Sequence, residues 1–409
     1  MSYSLIIAGR YANSRAFYDI HRQPLLARHP GKVLLFVDAT MTEQFPATPN
    51  CTVVGIQYMA IDKMLEVARR YQAEAGISSI STLDEKSVDI VATLRVALGV
   101  PGLSPEESRR FRDKVVMKEY LAAQGLRIPD FCPFTDVDAT RGLLQRYGKI
   151  VVKPRDGMGS KDVSFICSEA ELDKLRPRIV KPEEFQAEEF IDGTLYHTNS
   201  VVSNGEVLFT AAAPYLPGMA NIDFTAGTPF VSLMETQGDL YARLCEFSRQ
   251  AISALGLKNG VTHLEAFCTA SGEIVFCEVG VRPGGGGIVH MIEAQYGVNL
   301  SLAALLAEEG LAAQALAEQH ELDTRIGLIG VRNTGMGKIA LSINDDTFAD
   351  SWVRYVEIEV TEGQFRAPSS HCTDFLGLLI VEAANEAQFQ DRIGDIHRRF
   401  DSAVRLMPL

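Results

Sequence analysis

Residues 261–279, VTHLEAFCTASGEIVFCEV, are two apolar-rich runs meeting at ASGE, the pattern of a β-hairpin. Side chains alternate with period two along a strand, so any even loop keeps His263, Glu265 and Glu278 on one face. With Ser271-Gly272 as a two-residue turn, Glu265 lies opposite Glu278 and His263 opposite Gly280. Like charges directly across a sheet destabilise it, by roughly a few tenths to 1 kcal/mol, unless a cation sits between them. Oxygen-only ligands suit a hard ion such as Mg2+, which keeps waters and bridges carboxylates to phosphate oxygens. The alternative is a pair of solvated acids on an open sheet face.

After Glu278 the chain enters RPGGGG. Arg282 is a fixed cation whose planar donor fork suits phosphate or carboxylate. The glycines, Gly285 and Gly286 among them, permit close backbone approach, so that amide N–H groups can point at an anion. A plain flexible turn is the competing reading. A second glycine-bearing stretch, IVVKPRDGMGSKDVSFI (150–166), reads as strand, loop, strand. It is not a Walker loop, because Gly-x-x-x-x-Gly-Lys-Ser/Thr is absent and the loop enters a strand. Such a flap can fold over a triphosphate, offering amides from Gly157 through Gly159 to Ser160 and the charge of Lys153. Lys153 ends an apolar strand and needs an anionic partner if buried. Lys114, just before the apolar stripe of DKVVMKEYL, reads in isolation as a surface lysine.

Around these stretches the chain is organised as α/β. With 409 residues, 46% apolar and 22% charged, it is long enough for two or three domains with their own cores. The net charge of −13 removes any general electrostatic basis for binding nucleic acid or an anionic membrane. No basic leader precedes an apolar run and no stretch approaches 18 apolar residues, which points to a cytoplasmic protein. The seven cysteines form no Cys-x-x-Cys pair and are odd in number, so a zinc site or disulfide framework is disfavoured, and buried reduced thiols without a catalytic role are expected. SLIIAGR and KVLLFVD read as buried strands, but Gly-x-Gly-x-x-Gly is missing, so no dinucleotide site is expected. Ser104 before Pro105, Glu106 and Glu107 marks a helix start near a boundary at residue 100. Residues 239–255 form an amphipathic helix with Leu240, Leu244, Phe247, Ala251 and Leu255 on one stripe, ended by Gly256. Three portions follow: 1–100, 101–305 with a lid at about 135–192, and 306–409.

Taken in order, RDKVVMKEYLAAQGLRIPDF (112–131), IVVKPRDGMGSKDV (150–163), EEFIDG (188–193), HLEAF (263–267) and CEVGVRPGGGGI (277–288) resemble the ATP-grasp superfamily of carboxylate–amine ligases. The resemblance covers about residues 100–300, and the first hundred are similar to the Rossmann-like parallel α/β domain that precedes the ATP-grasp fold. It implies ATP and Mg2+ (or Mn2+) as cofactors, with Lys114 and Lys153 on the phosphates under the 156–161 loop. It implies a hinge at Glu189, Phe190 and Ile191 that reads adenine, with Glu188 nearby, and metal ions on Glu265 and Glu278. Arg282 with Gly285 and Gly286 would grip the carboxylate and its acyl phosphate, and His263 would orient the acyl group or help deprotonate the amine. Two departures stand out: Gly280 replaces an Asn common in the family, and His197 in GTLYH stands where an acid often takes the ribose hydroxyls. The combination is most similar to the dipeptide-forming L-amino acid ligases and related antibiotic-pathway ligases. It implies small-molecule carboxylate and amine substrates, amino acids above all, and a homodimer on the resemblance alone. Carboxylase or purine-pathway ligase chemistry and a non-catalytic nucleotide-binding regulator are the rivals.

Overall fold

The computed structural model describes residues 2–9, 14–45, 48–159, 161–216, 230–341, 343–369 and 373–407. The chain opens with a four-stranded parallel sheet in the order Cys51–Gly55, Lys32–Val37, Tyr3–Ile7, Ile77–Thr82. Its two central strands are buried almost throughout, as parallel strands covered on both faces must be. Helices Ile61–Ala75 and Val88–Leu98 supply part of that cover. The expected helix start at Ser104 is a full capping box, with Ser104 Oγ accepting from Glu107 N and the Glu107 carboxylate accepting from Ser104 N.

The centre of the molecule is an antiparallel sheet in the order Glu206–Pro214, Gly193–Ser203, Gly260–Thr269, Ile274–Gly280. Helix Asp239–Leu255 lays Leu244, Ala251, Ile252 and Leu255 on one face of it, with Leu240 and Phe247 half-buried at the edge and Gly256 as the left-handed stop. Helices Ile288–Tyr296 and Leu300–Ala307 pack on the other face. A second antiparallel sheet, Phe131–Pro133, Phe185–Glu189, Ile150–Pro154, Ser164–Ile166, has its own small core around Phe134, Leu144, Val152 and Leu172. A third joins Phe230–Leu233 to Arg325–Arg332, Phe375–Ala383 and Val353–Ile358. Residues after 306 therefore share a sheet with a strand from the middle of the chain.

The hairpin differs from expectation in its turn and agrees in its outcome. Thr269 pairs with Glu273, which leaves a three-residue loop where an even one was expected. An odd loop should put the two acids on opposite faces. Ala266 pairs with Phe276, however, while Glu265 pairs with Glu278, so Cys277 is an extra residue in a β-bulge. The bulge cancels the shift, and Glu265 faces Glu278 and His263 faces Gly280. The thiols also differ from expectation: among the described residues all are free, yet Cys132 and Cys277 alone are buried and Cys167 is exposed. Cys372 lies outside the described residues.

Candidate active site

A cleft opens between the lid sheet and the central hairpin, lined by residues of both. Lys153 reaches it from the end of strand Ile150–Pro154, and Lys114 from the first turn of helix Lys114–Ala123. Asp113 caps that helix by accepting from Val115 N and Val116 N, and Arg155 grips the same carboxylate. Lys114 is thus held at the cleft rather than on the surface: its Nζ donates to Gly157 O at 2.6 Å and lies 2.9 Å from Glu278 Oε2. Gly157 and Gly159 line the cleft, whereas Ser160 lies outside the described residues.

Just beyond strand Phe185–Glu189, which pairs with the Lys153 strand, Phe190 and Ile191 line the cleft and Lys149 Nζ sits 3.5 Å from the Phe190 ring centre. Glu189 also borders it while pairing with Arg127 at 3.1 Å. Glu188 does not offer its carboxylate to a ligand. Its Oε1 lies 2.5 Å from Lys153 Nζ and its Oε2 2.5 Å from Lys118 Nζ, a buried triad. Burial opposes ionisation of Glu188, but the two ammonium groups hold its carboxyl below the usual range. Burial likewise opposes the charge on Lys153, and Glu188 outweighs it and raises the pKa; Lys118, fully buried, is pulled down to about 8.

Glu265 and Glu278 both border the cleft across the hairpin. Lys114, together with Lys153, holds the half-buried Glu278 carboxyl below its ordinary range despite the adverse effects of desolvation and Glu85. Two facing carboxylates whose neighbours are an ammonium and a hydroxyl form an oxygen donor set that fits Mg2+. Among the described residues no cluster of three or more His, Cys, Asp or Glu side chains forms a metal site, so protein ligands to the ion would be these two. Tyr215 Oη donates to Glu265 Oε1 at 3.0 Å and lies 3.5 Å from His263 Nε2. His263 Nδ1 lies 2.9 Å from Asn199 Oδ1, an acceptor, which leaves Nε2 bare toward Tyr215 and Glu265. Asn199 Nδ2 in turn donates to His197 Nδ1. His197 is therefore corrected: it is 0% exposed, bonded to Asn199 and Ser232, and far too enclosed to take a ribose. Its pKa falls well below the ordinary value through burial and the nearby His263, so it stays neutral. Burial pushes the Cys277 thiol up, which keeps it protonated.

Arg282 leaves the hairpin and meets a residue the sequence did not single out. Its Nε lies 2.8 Å from Glu85 Oε2, while Arg112 Nη1 takes Glu85 Oε1 at 2.7 Å. Arg112 Nη2 also donates to Asp156 O, so Glu85 links Arg282 to the flap loop. The glycine run is no flexible turn. A Cβ on Gly284 would stand 2.8 Å from Asn199 Oδ1, and Gly286 and Gly287 have φ of +63° and +93° against Phe230 and Leu378. Gly285 alone faces open space. The run ends at the first turn of helix Ile288–Tyr296. Lys118, Glu85, Asn199 and Tyr215 went unread in the sequence. Lys118 had a signal, its position one turn after Lys114 on an apolar helix; the others are set by contacts across the fold.

The whole chain superimposes on a crystal structure of L-amino acid ligase from Bacillus licheniformis with a TM-score of 0.78, covering 100% of this chain and 99% of that one at 19% identity. The chain has the ATP-grasp fold. The chain also superimposes on N5-carboxyaminoimidazole ribonucleotide synthetase from Thermotoga maritima, with a TM-score of 0.68 over 100% of both chains at 16% identity. In sequence, the chain is 29% identical over 234 residues to an L-arginine-specific L-amino acid ligase of Bacillus subtilis, a match covering 54% of this chain and 55% of that protein. It is 23% identical over 304 residues to the uncharacterized protein y4rH of Sinorhizobium fredii, covering 72% of this chain and 61% of that protein. The chain thus spans a little over half the length of the curated relatives it matches. No family model matches it. No helix among the described residues is long and apolar enough to cross a membrane.

Proposed function

We propose that this chain is a cytoplasmic ATP- and Mg2+-dependent carboxylate–amine ligase that joins an amino acid, or a similar carboxylate, to the amino group of an amino acid. The observation that carries the reading is Lys114: one ammonium touches the flap at Gly157 and the Glu278 carboxylate together, so phosphate-side and metal-side groups converge. Lys114, Lys153 and the flap amides would hold the triphosphate, and Phe190 and Ile191 the adenine. Glu265 and Glu278 would hold Mg2+, which when bound neutralises charge on the phosphate oxygens. Arg282, with the backbone at Gly285 and Gly286, would receive the carboxylate. A carboxylate oxygen attacks the γ-phosphorus and ADP leaves; the amine then attacks the acyl carbon, phosphate leaves, and the nitrogen gives up a proton. The bare Nε2 of His263 would accept that proton. The closed flap would keep water from the acyl phosphate.

The test is a matrix of amino acids, singly and in pairs, with ATP and Mg2+, including the L-arginine named in the Bacillus subtilis relative. ADP and phosphate, without AMP, should appear only when acid and amine are both present, with a product whose mass is their sum less one water. Stimulation by bicarbonate instead of amino acids would move the reading to a carboxylase. Nucleotide binding with no substrate-stimulated turnover would leave a regulator.

A further inference from the structure

Helix Lys114–Ala123 carries two lysines one turn apart, and they meet different surroundings. Lys114 lines the cleft. Lys118 is 0% exposed and outside it, with its Nζ 2.5 Å from Glu188 Oε2 and 2.7 Å from Gln186 Oε1. Gln186 Nε2 adds a further donor to Glu188 Oε2 at 3.3 Å. The other Glu188 oxygen belongs to Lys153, which does line the cleft. Glu188 thus divides its oxygens between a lysine that can meet a ligand and one that cannot. Within this triad the three charges sum to +1, one carboxylate against two ammonium groups; Glu278 also acts on Lys153, but its own ion pair is with Lys114.

We infer that Lys118 is a positioning residue for nucleotide binding, keeping Glu188 compensated when Lys153 turns from it to an incoming phosphate. This rests on the reading above that Lys153 meets phosphate. Were Lys118 absent, Lys153 and Glu188 would be a closed one-to-one pair. Lys153 could then reach a phosphate only by stranding a buried carboxylate, the arrangement that makes breaking buried ion pairs costly. With Lys118 in place, the carboxylate keeps an ammonium and the Gln186 amide, and Lys153 is the cation in surplus. A role in packing alone predicts that Lys118 variants lose stability and leave nucleotide affinity untouched.

Calorimetric titration of the full chain with ATP and Mg2+, beside thermal denaturation, separates these cases. If the wild type does not bind ATP, the functional reading fails; given that it binds, the variants test Lys118 alone. K118M should weaken ATP binding about tenfold or more, the weight of one charge-assisted hydrogen bond, whereas K118R should stay within about threefold of wild type. The double variant K118M/E188Q should regain most of the lost affinity, because Lys153 no longer has an anion to leave. Unchanged affinity in K118M, or a double variant as weak as K118M, overturns the inference. Should K118M fail to fold, the double variant decides: affinity within about threefold of wild type supports the assignment, and a loss of about tenfold or more overturns it.

Discussion

The molecule uses glycine twice beside the cleft, for opposite physical ends. In the 155–162 stretch the chain passes between strands and is tied down through its backbone carbonyls, Asp156 O by Arg112 and Gly157 O by Lys114. In the 282–288 stretch Gly284, Gly286 and Gly287 are wedged, with Asn199, Phe230 and Leu378 standing where a Cβ would go, and Gly285 faces open space. The first loop presents its backbone to cations, and a Cβ on Gly157 would meet only the Pro154 ring, at 3.0 Å. The second needs glycine at three of its four glycine positions because a Cβ there has no room. A run of glycines is therefore not a sign of softness; here the denser run is the better packed.

Glu278 tests where the two loops meet, since Lys114 ties it to the first and the chain leads from it to the second. E278Q should lower ADP formation about 100- to 1,000-fold with an unchanged melting temperature, the scale of losing a charge-stabilising group at a reacting phosphoryl. Normal turnover would remove Glu278 from the metal site. G287A meets both a positive φ and Leu378 Cδ2 at 2.8 Å, and should cost about 2–4 kcal/mol in chemical denaturation. G157A, whose Cβ would stand 3.0 Å from Pro154 Cβ without a positive φ, should cost about 1–2 kcal/mol, less than G287A, and show itself in ATP affinity as well; equal stability losses would break the contrast. R282A should raise the KM for the carboxylate about tenfold or more while leaving ATP binding within about threefold, by loss of a charged contact to one substrate only. Equal losses would mean that its bond to Glu85 serves the nucleotide side.

The smallest effect concerns Glu293, on the helix that continues from the second loop. Burial pushes its pKa up to about 7, despite hydrogen bonds from Asn299 Nδ2 and Ile20 N. The folded chain therefore holds this proton more tightly than the unfolded chain. Stability from this site is greatest below the unfolded pKa near 4.3 and declines as pH rises toward about 7. E293Q should flatten that decline by on the order of 1–3 kcal/mol in melts run across the window. A slope identical to wild type would mean that Glu293 is already ionised.

What the sequence disclosed follows the range of the forces involved. The helix 239–255 was readable because its stripe is local; the facing acids came out as expected through two unread features that cancel, an odd loop and the bulge at Cys277. The lysines beside Gly157 were readable through resemblance. His197 was misread because the resemblance assigned it by its place after the hinge, and place in the chain does not say which face of the sheet a strand residue takes. Glu85 was invisible because its partner Arg282 lies 197 residues away, and nothing in TLDEKS distinguishes it from a solvated loop acid. Tyr215 and Asn199 belong to the same class, polar groups whose meaning comes from the far side of the sheet.

The bulge at Cys277 works as a slip joint. A turn one residue shorter on a straight strand would set Glu265 against Glu278 just as the present three-residue loop does with its extra residue. Turn length at the tip is thereby uncoupled from chemistry at the base. Chains of this fold can gain or lose a residue around Ser271 and keep the acids in register, provided the strand gains or loses its bulge in step. When such chains are aligned or redesigned, a single-residue gap at the tip should be read together with the strand that follows it.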